Sequence, residues 1–278
     1  MLIGRHRVRA TACLAFAAVA VHACTVATDF SQGNDGRLTA RPAASASTAT
    51  RDATAGKPAS ALPMSGALST EFTPGTTRPL KLERSRDAVL QIPAKPTGQP
   101  LPLLVMLHGA GGTGEGVLRR VTAAAEEAGV AVLAPDSRDA TWDGIRSGFG
   151  PDVTFIDRAL ARVFERVAID PERIAVGGFS DGATYALSLG VVNGDLFRRV
   201  VAFSPGFIVG GTPQGKPRFY VSHGRADQIL PIEQCSRVLV PQLQRRGYEV
   251  TFKEFEGGHQ VPPDIAAEAL RWLANRGV

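Results

Sequence analysis

Ser180 is the central residue of the sequence GFSDG at 178–182, which matches the pattern G-x-S-x-G. An apolar, β-branched run at 173–177 comes directly before it, and an apolar helical pattern at 183–191 follows. A serine on such a tight strand-to-helix turn is exposed at the end of its strand, where it acts as a nucleophile once a base removes its proton. A plain glycine-rich turn is the alternative interpretation, and the flanking strand and helix favour the nucleophile.

A base and an acid for this serine are predicted from their order along the chain. In α/β enzymes with such a serine turn, the acid follows the serine and the histidine follows the acid. His259 comes after the last predicted strand and is the candidate base. Asp227 comes after the preceding strand and is the candidate acid, which would fix the histidine tautomer. Glu233 is the competing acid, but it lies beyond Pro231 at the start of a predicted helix, and His223 is predicted to brace the Asp227 loop.

The glycine-rich sequence HGAGG at 108–112 supplies the remaining part of an acyl-transfer site. Glycines allow backbone N–H groups to converge on one point, as a developing oxyanion requires. We assign the oxyanion hole to the backbone N–H groups of Ala110 and of Asp181, the residue after the nucleophile. Glycine-rich turns before helices also bind phosphate, but no G-K-[ST] follows this one, which disfavours that alternative.

Short apolar strands and longer amphipathic helices alternate after residue 66, and this pattern predicts an α/β fold with a mostly parallel central sheet. Continuous apolar runs such as LLVML at 103–107 indicate strands that are buried on both faces. Ligands bind such sheets at the carboxyl ends of the strands, which is where the residues above lie. Strands are predicted at 88–92, 103–107, 130–134, 174–177, 200–203, 218–222 and 250–255, and helices at 115–128, 152–166, 182–191, 233–246 and 263–275.

The first 66 residues differ in composition from the rest of the chain. Residues 1–23 combine three arginines, an apolar stretch too short to span a membrane and a small-residue cleavage site, which predicts an export signal. The sequence VHAC at 21–24 resembles a bacterial lipobox, although His22 departs from it, so lipidation of Cys24 and ordinary secretion both stay open. Residues 24–66 are rich in Ala, Ser, Thr, Pro and Gly and predict a disordered linker. Residues 67–278 are then the catalytic domain, in a periplasmic, cell-envelope or extracellular location.

Charge excludes one class of partner. The chain has 31 Lys and Arg against 26 Asp and Glu, but the surplus lies mainly in the leader, and residues 67–278 are close to neutral. A nucleic-acid binder requires a basic face on its folded part. We therefore expect no nucleic-acid partner.

The segments that carry these motifs resemble the α/β-hydrolase superfamily. The resemblance runs from about residue 101 to the C-terminus and is strongest to the bacterial phospholipase/carboxylesterase and esterase–depolymerase groups. It rests on the motifs at 107–112, 134–137, 150–153, 177–183, 204–206, 222–227, 230–231 and 257–259. It implies a serine hydrolase of carboxylic esters that acts through an acyl-enzyme and uses no metal or organic cofactor.

Large hydrolases of this superfamily carry a lid between the strand after the serine helix and the strand leading to the acid. Here only residues 205–217 separate those strands, which is too short for a helical cap. The resemblance therefore implies an open site without a lid domain, suited to small soluble or polymeric esters. Trp142 either flanks this cleft as an aromatic wall that binds substrate or packs in the interior.

Three functions stay open at this stage. A carboxylic ester hydrolase is the leading hypothesis. A thioesterase or peptidase would use the same triad and oxyanion hole, and a non-catalytic hydrolase-like domain would only bind its partner.

Overall fold

The computed structural model of the chain describes residues 35–42, 72–96 and 100–275. The predicted export signal, the lipidation candidate Cys24 and most of the predicted linker lie outside these residues. None of the described helices has the length and apolar content that crossing a membrane requires.

Residues 72–96 and 100–275 form one α/β unit around an eight-stranded sheet. The strands lie in the order β1-β2-β4-β3-β5-β6-β7-β8. The pairs β1–β2 and β2–β4 are antiparallel, and every other neighbouring pair is parallel. The strands are β1 Thr77–Pro79, β2 Ala88–Gln91, β3 Leu101–Leu107, β4 Ala131–Pro135, β5 Ile169–Phe179, β6 Arg199–Phe203, β7 Arg218–Gly224 and β8 Val250–Phe255. The helices are α1 Gly114–Ala128, α2 Asp143–Arg146, α3 Pro151–Arg166, α4 Asp181–Val192, α5 Ser236–Arg245 and α6 Pro263–Ala274.

Helices cover both faces of the sheet, which explains the continuous apolar runs of its central strands. Alternate side chains of β3 enter opposite cores: Leu103 and Val105 pack with α3, α4 and α5, whereas Leu104 and Met106 pack with α1 and α6. The whole of β3 is buried. The predicted α/β fold with a mostly parallel, helix-flanked sheet is confirmed.

Residues 35–42 depart from the linker prediction. Leu38 is only 2% exposed and belongs to the core on the α3–α4 face. Its backbone N–H donates to the side-chain oxygen of Asn193 at 2.8 Å. Composition predicts no fixed structure here, because the partners that hold this segment come from distant parts of the chain.

Candidate active site

Ser180 lies on the turn between β5 and α4 in a strained backbone conformation. Its φ is 59° and its ψ is −123°, a combination that non-glycine residues rarely adopt. The flanking glycines are required by close backbone approach. A Cβ on Gly178 would lie 2.2 Å from a Gly182 backbone atom, and one on Gly182 would lie 2.1 Å from the carbonyl oxygen of Leu107. The turn therefore holds the hydroxyl-bearing residue at the carboxyl edge of the sheet, as a nucleophile elbow does.

Asp227 and His259 are brought together at that edge by the loops after β7 and β8. His259 Nδ1 lies 2.7 Å from Asp227 Oδ2. Asp227 Oδ1 accepts hydrogen bonds from the backbone N–H groups of Ile229 and Leu230, both at 2.9 Å. Burial of this carboxylate would raise its pKa, but the hydrogen bonds from His223, His259 and Leu230 outweigh that effect and hold the pKa of Asp227 well below its usual range. Asp227 is therefore ionised at neutral pH.

An ionised Asp227 determines the tautomer of His259. Nδ1 faces a carboxylate oxygen and carries the hydrogen that it donates, which leaves Nε2 as a proton acceptor. Nε2 is buried and has no hydrogen-bond partner among the described residues. The His259 ring also packs on Phe179, with 4.7 Å between ring centroids, so the base lies beside the residue that precedes Ser180. A buried nitrogen with an open lone pair is suited to accept a proton.

His223 braces the loop at 225–231 that carries Asp227, here the acid loop, and has no exposed surface. Its Nε2 lies 2.7 Å from the carbonyl oxygen of Leu230 and 3.2 Å from Asp227 Oδ2, so this nitrogen is the donor. Its Nδ1 lies 2.7 Å from the Ser236 hydroxyl, which donates to it. The competing acid, Glu233, instead forms a surface ion pair with Arg237.

The segment 108–113, here the oxyanion loop, lies directly against the serine. A Cβ built on Gly109 would lie 3.2 Å from Ser180 Cβ. Gly111 adopts a φ of 67°, and its N–H donates to the carbonyl oxygen of Ala140 at 2.6 Å. The N–H groups of Ala110 and Asp181 donate to none of the residues that the structure describes. Their role as the oxyanion donors stays a prediction.

His108 anchors the oxyanion loop as a neutral imidazole. Its Nε2 accepts from the Ser137 N–H at 2.9 Å, and its Nδ1 lies 2.8 Å from the Gly109 carbonyl oxygen, to which it donates. Burial lowers the pKa of His108, which favours the uncharged ring that this pair of bonds requires.

Of the two interpretations of Trp142, the wall of the substrate cleft is wrong and packing in the interior is confirmed. Its side chain has no exposed surface. Its Nε1 donates to the carbonyl oxygen of His108 at 2.8 Å, and its ring stacks on Tyr185 with 5.3 Å between centroids. A ring enclosed in this way cannot contact a ligand in an open cleft. Its hydrogen bond to His108 instead supports the start of the oxyanion loop.

A buried polar network that sequence analysis missed lies next to Trp142. The Tyr185 hydroxyl donates to Asp143 Oδ1 at 2.7 Å. Asp143 and Asp152 each donate a backbone N–H to the other's carboxylate, both at 2.7 Å. Burial raises the pKa of Asp152 to about 6. The network joins the first turns of α2 and α3, and acidic residues at helix starts were its sequence signal.

A shallow groove lies beside the acid loop, between the segment after β6 and helix α5. At one end of the groove, the N–H of Gly206 donates to Thr184 Oγ1, on the helix that follows Ser180, at 2.9 Å. The described residues 204–217 form no helix. The groove is lined by Gly206, Phe207, Ile208, Gln234, Cys235, Val238, Leu239 and Gln242.

Comparisons with known proteins agree with this architecture. Residues 144–275 match the phospholipase/carboxylesterase family model, and the match includes the three triad candidates. NocK from Nocardia uniformis subsp. tsuyamanensis, described as an esterase, is 30% identical over an alignment of 173 residues that covers 58% of this chain. The chain spans about half, 48%, of the length of that relative.

Solved structures with the same fold are more distant in sequence. FphF, a fluorophosphonate-binding serine hydrolase of Staphylococcus aureus, aligns over 73% of this chain and 100% of its own, with a TM-score of 0.59 and 18% identity. The Bacillus cereus carboxylesterase aligns over 69% and 94%, with a TM-score of 0.53 and 20% identity. The chain has the α/β-hydrolase fold and resembles the phospholipase/carboxylesterase family over its C-terminal half.

Proposed function

We propose that this chain is a serine hydrolase that cleaves carboxylic esters through a covalent acyl-enzyme. The observation that carries the proposal is the buried His259 Nε2, which has no partner among the described residues while Nδ1 is held by an ionised carboxylate beside the serine turn. The family match and the esterase NocK support the same chemistry. No cofactor is required for this reaction.

In the first half-reaction, Ser180 Oγ attacks the ester carbonyl carbon while His259 Nε2 takes the hydroxyl proton. The carbonyl oxygen gains negative charge and accepts hydrogen bonds from the Ala110 and Asp181 N–H groups. Asp227 holds the ring and stabilises the imidazolium. When the tetrahedral intermediate collapses, the C–O bond to the alcohol breaks and His259 returns the proton to the leaving oxygen, which leaves an acyl-serine.

In the second half-reaction, water attacks the acyl-serine and His259 Nε2 takes one of its protons. Collapse of the second intermediate breaks the bond to Ser180 Oγ, which recovers its proton from His259, and the carboxylic acid departs. The short segment at 204–217 supports an open site for small or polymeric esters.

A substrate panel tests the ester assignment. With one acyl group presented as an aryl ester, a thioester and a peptide anilide, we expect the ester to be hydrolysed fastest, with a burst of alcohol that marks acyl-enzyme formation. Faster thioester or anilide hydrolysis would assign the alternative chemistry. A folded protein inert toward all three would support the non-catalytic binding domain instead.

We further propose that the chain is exported and held at a bacterial membrane through lipid on Cys24. The arginine-bearing leader, the short apolar stretch and the sequence VHAC support this location. Because lipidation requires the thiol, Cys24→Ser is expected to move the protein from the membrane fraction to the soluble fraction with unchanged specific activity. Cys13→Ser, within the predicted signal, is the matched control and leaves the partition unchanged. If Cys24→Ser and wild type were divided between the membrane and soluble fractions in the same way, lipidation would be wrong and ordinary secretion would be the remaining explanation.

A further inference from the structure

The segment 35–42, here the strap, binds the domain through a reciprocal pair with one buried side chain. Asn193 caps the end of α4 and has no exposed surface. Its side-chain oxygen accepts the Leu38 N–H at 2.8 Å, and its side-chain nitrogen donates to the Gly36 carbonyl oxygen at 2.8 Å. Asn193 thus recognises the strap backbone on both sides of Arg37.

Two acidic side chains of the domain hold the strap. Arg37 forms two hydrogen bonds to the Asp195 carboxylate, at 2.8 and 2.9 Å, and Arg41 adds a third at 2.8 Å. Asp157 on α3 accepts the Thr39 N–H, the Thr39 hydroxyl and the Ala40 N–H, at 2.5 to 2.8 Å. Single exposed ion pairs contribute little. Here six hydrogen bonds end on two carboxylates, and bonds to a charged acceptor are stronger than bonds between neutral groups. Together they form a specific binding site for the strap.

A continuous column of rings connects the strap to the oxyanion loop. A Cβ on Gly36 would lie 2.5 Å from the Phe149 ring, so strap and ring are in direct contact. Phe149 packs on Tyr185 with 5.7 Å between centroids, and Tyr185 stacks on Trp142 at 5.3 Å. Trp142 then donates to the carbonyl oxygen of His108, the first residue of the oxyanion loop.

We propose that the strap is a positioning element of the catalytic site: its docking seats Phe149 and, through the ring column, holds the oxyanion loop against Ser180. The inference rests on the proposed ester hydrolysis. An oxyanion hole acts on the tetrahedral species and hardly on the bound ester. Undocking the strap therefore lowers kcat and the affinity for a tetrahedral mimic and leaves KM almost unchanged.

Two strap variants of the full chain test this coupling. Gly36 has a φ of 77°, and Gly36→Ala would place a Cβ 2.5 Å from the Phe149 ring. The double variant Arg37→Ala/Arg41→Ala removes the ion pairs to Asp195. For both we expect kcat on an aryl ester to fall by about 10-fold to 100-fold, with the affinity for a phenylboronic acid falling by the same factor. Arg37→Lys/Arg41→Lys should restore part of the loss. The control Arg271→Ala, which breaks the surface pair with Glu127 on the opposite face of the sheet, should match wild type.

Amide hydrogen exchange in residues 108–113 separates this inference from the proposed function. We expect both strap variants to exchange faster there than wild type and Arg271→Ala do, at a temperature well below unfolding. Unchanged exchange, unchanged kcat in an active protein, or a loss confined to KM would overturn the strap's role. If the wild-type protein hydrolysed no ester while the strap variants still exchanged faster at 108–113, the coupling would stand and the proposed function would be wrong.

Discussion

Replacing Ser180 with alanine is expected to lower ester hydrolysis by about 10⁴-fold or more while the protein stays folded. The serine supplies the attacking oxygen, so its loss removes both half-reactions and leaves only the contributions of the oxyanion hole and of substrate binding. Stability should change little, because alanine and serine are equally strained at a φ of 59°. Initial rates on an aryl ester and a thermal unfolding curve measure the two effects.

The matched control for this variant is Ser85→Ala. Ser85 is exposed on the bend before β2, and its side chain takes part in none of the described contacts that form the proposed site. We expect wild-type rates for it. Near-wild-type turnover by a folded Ser180→Ala protein would exclude Ser180 as the nucleophile.

Asp227→Asn is expected to lower turnover by about 10³-fold to 10⁴-fold. The asparagine oxygen can still accept the Ile229 and Leu230 N–H groups, which places its NH₂ where Oδ2 now meets His259 Nδ1. His259 must then carry its hydrogen on Nε2 and cannot take the serine proton. The same NH₂ faces the His223 donor, so we expect a stability loss of about 1–3 kcal/mol from mismatched buried hydrogen bonds. Rates at several pH values and chemical denaturation measure these effects.

Glu233→Gln is the comparison for the acid. Its carboxylate lies on the surface in an ion pair with Arg237, so neutralising it should leave turnover within about twofold of wild type. If Glu233→Gln were the more damaging variant, Asp227 would not be the acid that orients His259.

Buried central strands were predictable because they leave a local signal. The run at 103–107 is apolar at every position, as a strand covered on both faces requires. The triad candidates were also predictable, since each follows such a strand and their order along the chain is restricted. β1 left no comparable signal: its three residues are all exposed, and only pairing with β2 defines it. The short α2 spans too few residues to display helical periodicity.

Features that depend on distant partners escaped the sequence analysis. Trp142 could not be assigned to the cleft or the interior because its environment is set by Tyr185 and His108, from other elements. The strap has the composition of a linker, and a single apolar residue, Leu38, occupies the core. What holds it is a buried asparagine and two carboxylates more than a hundred residues away. The composition of a short segment does not predict such distant contacts.

Labelling with a fluorophosphonate, followed by mass mapping of the modified peptide, tests the central claim that His259 and Asp227 activate Ser180. The reagent phosphonylates an activated serine and places its phosphonyl oxygen where the oxyanion would lie. We predict one adduct per chain, on Ser180, formed far more slowly in Asp227→Asn and absent from Ser180→Ala. An adduct on another residue, or equal labelling of wild type and Ser180→Ala, would contradict the account, as would a folded wild-type protein that takes up no label.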